Sequence, residues 1–422
     1  MTPDGATIVY GVPSGSPETY DLISVPAEGP AAAAVVLLEE YRHDPFDNFD
    51  YEWAMSPDGA WVYFTTDSGD LYRVPTIGGE ATPFSGAMVI GGDVTDFAIT
   101  NDSQYVVFRA DMETNDTYEL WVKNADDTYF SKLSNFPDGN VNTFALSPDG
   151  TRAVYTASVG LLEQGLFSIP ITGAPGDEVQ IAVGDPLGDI DYWGDTLFVT
   201  GDSQFVVFER ERIDDDQVSS TPILGPPSSE VVLTSDLTSM SEWEVTADGS
   251  YLIVDGDLSY NDGVFSIPVA GPASAIVDFN TSGYWHFEHA VSPRGDYVAF
   301  VAGNDYVLEI FPAGGPASAG DPITGDYGVD DFMWAPDGSR LIYRDWNDVF
   351  AVDVDGDRTP VEIGGYMQID GHTNWTTETL PAVGPNGRLI AYAADARIDG
   401  ELELWVGTTD GSPVDYASTD LL

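Results

Sequence analysis

One short phrase recurs along the whole chain and constrains everything between its copies. It reads Pro3-Asp4-Gly5, Ser56-Pro57-Asp58-Gly59, Ser147-Pro148-Asp149-Gly150 and Ala335-Pro336-Asp337-Gly338. Looser copies are Asn101-Asp102-Ser103, Gly201-Asp202-Ser203, Ala247-Asp248-Gly249, Pro293-Arg294-Gly295 and Pro385-Asn386-Gly387. Proline presets φ, aspartate supplies turn hydrogen bonds and glycine takes φ > 0, so the phrase is a tight turn. Nine copies from Pro3 to Pro385 lie about 48 residues apart on average, the size of a four-stranded propeller blade. Helical repeats of that period need long runs with a 3.6-residue pattern, and none is present. The expectation is an all-β chain. It is a single β-propeller over residues 1–422 with eight or nine four-stranded blades, its repeats starting near 3, 57, 101, 148, 201, 247, 293, 336 and 385.

A short β-branched and aromatic run follows each turn, as at 61–64, 105–108 and 205–208. Its last position is aromatic in Tyr10, Phe64, Phe108, Tyr155, Phe208, Phe300, Tyr343 and Tyr392, with Val254 the exception. Such a column reads as a packing layer between neighbouring blades rather than a ligand box. A third strand then ends in a second turn phrase, such as Val74-Pro75-Thr76-Ile77-Gly78-Gly79 or Pro312-Ala313-Gly314-Gly315. Proline there stops the ladder and glycine reverses the chain.

The Ser-Pro-Asp-Gly turn, the Val-Tyr-Phe type of strand and the Leu71-Tyr72-Arg73-Val74 type of strand resemble TolB-type β-propeller repeats. The stretch from Arg109-Ala110-Asp111 to Tyr118-Glu119-Leu120-Trp121-Val122 is an especially close match to that pattern. The resemblance covers essentially the whole chain and implies the fold. It implies little about function, because that propeller serves periplasmic envelope proteins, peptidase accessory domains and surface proteins alike. Repeats two to nine each have a candidate innermost strand before the turn, as at 51–55 and 95–99, whereas repeat one has only Met1 and Thr2 there. Residues 413–418 can supply the outer strand of repeat nine.

Composition narrows the partners. With 14 basic and 71 acidic residues the formal net charge is −57, which repels phosphate backbones and anionic membranes. No nucleic acid is expected, and no membrane insertion, since the longest small apolar run, 31–38, is far short of a span. The absence of cysteine removes disulfides, thiolate zinc sites and cysteine nucleophiles. Lys123 and Lys132 are the only lysines, and an Asp-rich, Lys-poor surface stays hydrated in high salt. No charged and apolar leader follows Met1. The expected setting is a mature or excised segment of a secreted, periplasmic or cell-surface protein.

Aligning the strands before the turn gives an acid-rich column: Glu52, Asp96, Thr143, Thr196, Glu242, Glu288, Asp331 and Leu380. Innermost strands line a propeller's central channel, where Glu52, Asp96, Glu242, Glu288 and Asp331 would hold a hydrated cation such as Ca²⁺ through oxygen ligands. His286-Phe287-Glu288-His289 offers no zinc site, because alternation splits its histidines between faces. His289 instead falls in the column of Trp53, Phe97, Phe144 and Phe332 and is expected to pack. Asp353-Val354-Asp355-Gly356-Asp357 mimics the start of a calcium loop but lacks its later ligands, and reads as a solvated turn. No Gly-x-Ser-x-Gly elbow is present.

The uniform Asp-Gly turns read as structure. The connections at 109–117, 209–220, 255–262 and 394–401 vary in length and carry acids, and variable loops on a rigid frame are where binding resides. They hold Asp111, Glu113, Asp116, Asp214, Asp215, Asp216, Asp257, Asp262, Asp395, Asp399 and Glu401, the expected partner-binding set. The functional expectation is a non-catalytic extracytoplasmic binding or scaffold propeller. It would engage a protein or surface polymer, basic or cation-bridged, on its variable-loop face. Two alternatives stand beside it: a metal-assisted lyase or glycosidase using channel carboxylates, and a structural subunit of a surface layer or filament.

Overall fold

The computed structural model describes residues 1–14, 19–27, 29–30, 33–42, 53–66, 68–134, 140–159, 163–184, 188–190, 197–212, 217–258, 261–279, 286–303, 306–323, 328–329, 331–345, 348–363, 382–394, 403–411 and 415–418. Nine antiparallel sheets follow one another along these residues, one for each turn phrase, and seven of them have four strands. Strands pair in chain order, each with its neighbour. In the third sheet Val94–Ile99, Tyr105–Ala110, Glu119–Asn124 and Phe130–Lys132 lie side by side. The first sheet has three described strands, Thr7–Pro13, Thr19–Pro26 and Val35–Arg42. In the fifth, Gly188–Ile190 and Leu197–Val199 share the first position in tandem against Phe205–Arg212, which accounts for the long step before that turn. Asp415–Ser418 closes the ninth sheet, as the sequence implied.

The chain forms two compact units, one of Met1–Asp214 with Val218–Glu230 and the other of Asp215–Gln217 with Val231–Leu422. In both, the core is a series of layers between successive sheets. Val9 and Leu22 of the first sheet meet Val62 and Phe64 of the second, and Leu120 and Val122 of the third meet Phe144 and Tyr155 of the fourth. In the second unit, Leu308 and Ile310 meet Phe332 and Tyr343 in the same way. The aromatic column is this layer. Phe64, Phe108, Tyr155, Phe208, Phe300 and Tyr343 are all buried, as is Val254. Among the described side chains of the column Tyr10 is the exception, at 41% exposure, and that of Tyr392 lies outside them.

The turn phrase works through a repeated set of hydrogen bonds. The hydroxyl two residues before each aspartate donates to its Oδ1: Thr2 to Asp4, Ser56 to Asp58, Thr100 to Asp102, Ser147 to Asp149 and Thr200 to Asp202, each at 2.6 Å. The same oxygen accepts the amide two residues on, from Ala6, Ala60, Gln104, Thr151 and Gln204. Hydrogen bonds from Thr2 and Ala6 hold Asp4 below the ordinary carboxylate range. At Asp149 burial works against the charge, yet the Ser147 and Thr151 bonds prevail and lower its pKa. Gly59 sits at φ +72, where a Cβ would come within 2.8 Å of Thr2 in the preceding turn. Ser103 and Ser203 replace glycine at left-handed φ of 60 and 59, and each hydroxyl accepts a neighbouring turn's amide, from Asp58 and Asp149. These turns are therefore stitched to one another.

Two of the few cations are spent inside. Arg73 is buried over the rings of Trp61 and Phe84 and bridges to Asp127. Arg210 makes a forked pair with Glu230 at 2.8 and 2.7 Å and lies over Phe208. The surface is left overwhelmingly anionic. Among the described residues no helix is long and apolar enough to cross a membrane.

Candidate functional site

Within each sheet the Asp-Gly turn lies at one end and the hairpin joining the second and third strands at the other. The carboxylate chemistry concentrates at the hairpin end, most clearly in the third sheet. A β-bulge between Val94 and Asp96 shifts the register and sets Asp96 directly across from Arg109. The same irregularity recurs before Thr143, Glu242 and Glu288, so the acid-rich column follows a structural device of the first strand. Arg109 donates through Nε to the Val141 carbonyl and through Nη1 to Thr95 Oγ1, both at 2.7 Å, and its guanidinium lies 4.3 Å from the Tyr118 ring centre. Burial pushes the Asp96 carboxyl up to about 6, with Arg109 pulling the other way.

A second pair of acids lies alongside. Asp111 is 1% exposed, and its carboxylate accepts the Asp93 amide at 2.5 Å and the Asp116 amide at 2.8 Å. The Tyr118 hydroxyl donates to Asp93 Oδ1 at 3.2 Å. Burial, then the charge of Asp111, raises the Asp93 pKa, and burial with the Asp93 charge pushes Tyr118 up to about 12. This explains the Arg109, Asp111 and Tyr118 positions of the motif: they brace one hairpin. Asp111 was expected to face a partner. It is instead an internal cap for the loop, because two backbone donors need its oxygens.

The remaining acids are distributed as follows. Glu113 is exposed and pairs with Lys132 at 3.0 Å, and Asp116 is exposed at a left-handed φ of 63. The segment expected as a loop at 255–262 is mostly strand, since Tyr251–Leu258 and Asn261–Pro268 pair along their length. Likewise Phe205–Arg212 and Gln217–Pro222 extend into the 209–220 connection. Pairing continues there through polar stretches, Glu209-Arg210-Glu211-Arg212 and Asp255-Gly256-Asp257, which no apolar alternation marks as strand. In the sixth sheet the register sets Glu242 across from Asp255 and Asp257 across from Asp262. Glu242 is exposed, and Asp257 Oδ1 is shielded from solvent and accepts no hydrogen bond. Asp331 lies across from Arg344. Of the expected set, Glu52, Asp214, Asp215, Asp216, Asp395, Asp399 and Glu401 lie outside the described residues, as do the side chains of Asp262 and Glu288. Among the described residues no three His, Asp or Glu side chains are placed to share one metal ion.

His289 packs, as its column implied, with its Nε2 3.9 Å from Glu244 Oε1. Glu244 also accepts the Val291 amide at 2.8 Å, and burial raises its pKa. The calcium-loop mimic is a turn. Asp353 Oδ1 accepts the amides of Asp355 and Gly356, and Asp355 is gripped by Arg294 at 2.8 and 3.2 Å. Asp93, Tyr118 and Asp255 were not singled out from sequence. Asp255 could have been found by counting back along the hairpin from the Ala247-Asp248-Gly249 turn to its partner Glu242.

Comparison with solved structures returns similar chains. A crystal structure of the eukaryotic initiation factor is similar over 97% of this chain and 95% of its own, with a TM-score of 0.50 and 12% identity. A prolyl endopeptidase from a structural and mechanistic analysis of two such enzymes aligns over 82% of this chain and 54% of its own, with a TM-score of 0.42 and 12% identity. No protein-family model matches the sequence, and no curated protein matches it. The first likeness, with the nine sheets, gives the fold class: all-β, a β-propeller of four-stranded blades.

Proposed function

We propose that the chain is a non-catalytic binding or scaffold propeller working outside the cytoplasm. Its partner is a basic protein or surface polymer, held on the hairpin end of the sheets directly or through bridging cations such as Ca²⁺. The observation that carries this reading is the contrast between the two ends of the sixth sheet. At the turn end the Asp248 carboxylate is consumed by the Thr246 hydroxyl and the Ser250 amide. At the hairpin end the register sets one acid across from another, Glu242 from Asp255. Like charges directly across a sheet cost roughly 0.2–1 kcal/mol per pair. A cationic partner converts that cost into attraction, and the net charge of −57 steers such a partner in.

The test is a variant combining Glu242→Gln, Asp255→Asn and Asp257→Asn. It is expected to melt higher than the parent, because repulsion is relieved, while binding oligolysine more weakly and responding less to Ca²⁺. The parent is expected to melt higher in Ca²⁺ than in chelator at matched ionic strength, by mass action. Equal binding by parent and variant would sink the assignment of this face, and identical melting in Ca²⁺ and chelator would remove the bridging cation. One observation favours a second reading. A carboxyl titrating near 6, as Asp96 does, suits a general acid, as a lyase or glycosidase requires. Turnover of a polysaccharide, with or without Ca²⁺ or Mn²⁺, that Asp96→Asn abolishes would replace the binding reading with that one.

A further inference from the structure

Among the described residues the first sheet carries an edge that is covered in the second and third sheets. Thr7–Pro13 pairs with Thr19–Pro26 on one side, and among the described residues no strand pairs with its other side. The corresponding strand of the second sheet, Trp61–Thr65, is covered on that side by Trp53–Met55, and that of the third, Tyr105–Ala110, by Val94–Ile99. The consequence shows in the side chains. Val62 and Phe64 are 0% and 5% exposed, whereas Ile8 and Tyr10, at the same two positions, are 37% and 41% exposed.

The covered sheets show what such an edge accepts. In the second, third and fourth sheets an aromatic residue sits across from the position equivalent to Tyr10, and an aliphatic one across from the position equivalent to Ile8. Trp53 and Met55 face Phe64 and Val62, Phe97 and Ile99 face Phe108 and Val106, and Phe144 and Leu146 face Tyr155 and Ala153. The residue between them is alanine each time: Ala54, Ala98 and Ala145. Charge decides among occupants. Asp4 precedes the strand, Asp21 lies across from Val12 at its far end, and the chain carries −57 overall. A second copy brings the same charge and is repelled, whereas a strand with basic flanks is attracted.

We propose that the open edge of Thr7–Pro13 docks an extended basic segment of a partner protein. It adds as an antiparallel strand of the form aromatic-x-aliphatic, with the aromatic residue across from Tyr10 and the aliphatic one across from Ile8. Main-chain hydrogen bonds along the edge supply affinity, and the two alternating side chains supply specificity. The site is separate from the hairpin end and stands or falls apart from it.

The probe is a fluorescent peptide carrying Phe-Ala-Ile between lysine pairs, titrated against the full chain by anisotropy. Saturable binding is expected, and amides in 7–13 that are not bonded to Thr19–Pro26 gain protection from exchange. Replacing the peptide's phenylalanine by serine, or Tyr10→Asp in the protein, each weakens binding at least about tenfold, because a buried aromatic contact is lost. Ile77→Asp, at an exposed apolar position on the second sheet's turn, binds like the parent. Binding indifferent to both the serine peptide and Tyr10→Asp would reduce the effect to charge attraction and overturn the proposal. So would full protection of those amides before peptide is added. A concentration-dependent dimer lost in Tyr10→Asp would assign the edge to a second copy, against the proposal.

Discussion

Replacing Asp111 by asparagine tests whether the third-sheet hairpin is braced from within. The carboxylate is 1% exposed and accepts two backbone amides, those of Asp93 and Asp116. Asparagine keeps the shape and one acceptor oxygen, but turns an N–H₂ toward the second amide. One charge-assisted bond, worth about 1.5–3 kcal/mol, is lost, and the other becomes a neutral one. Relief of repulsion on Asp93 acts in the opposite direction. It is the smaller effect, since Asp93 is only half-buried and solvent screens its charge. The net loss is about 2 kcal/mol, or about thirtyfold in the local opening equilibrium. Amide exchange at Asp93 and Asp116 reads it directly. Glu113→Gln in the same hairpin is the control: that residue is exposed, and its pair with Lys132 is worth less than about 1 kcal/mol. If the Asp93 and Asp116 amides exchange no faster in Asp111→Asn than in Glu113→Gln, the cap contributes nothing and the argument fails.

Thermal stability is expected to rise between about 0.1 and about 1 M NaCl, because screening relieves repulsion among the acids, and a flat or falling midpoint would contradict that. The pH response follows from Asp96, whose folded pKa of about 6 lies above the ordinary carboxylate range because of its burial. As pH rises from that range the unfolded chain ionises first, so native stability falls until about pH 6, by on the order of 2–3 kcal/mol, and then levels. Asp96→Asn should flatten this segment of the stability-versus-pH curve, and an unchanged slope would show that the burial of Asp96 is not its source.

The turn phrase was legible because its chemistry is local. Hydroxyl, carboxylate and amide within five residues, at Thr2–Ala6 or Ser147–Thr151, need no distant partner to set their geometry. Blade size followed from its spacing, and the aromatic layer from the strand after it. Tyr10 departs from that layer because burial of a column position depends on the strand beside it, and among the described residues Thr7–Pro13 has none on that side. The acids were legible as a column but not in their roles, since a role depends on what the register brings opposite. After the bulge, Asp96 meets Arg109 while Glu242 meets Asp255, and no pattern along one strand distinguishes the two. Asp111 and Asp116 looked equivalent in sequence. Folding buried the first against two amides and left the second in solvent, because the loop's own backbone donors, invisible in the letters, needed an acceptor inside.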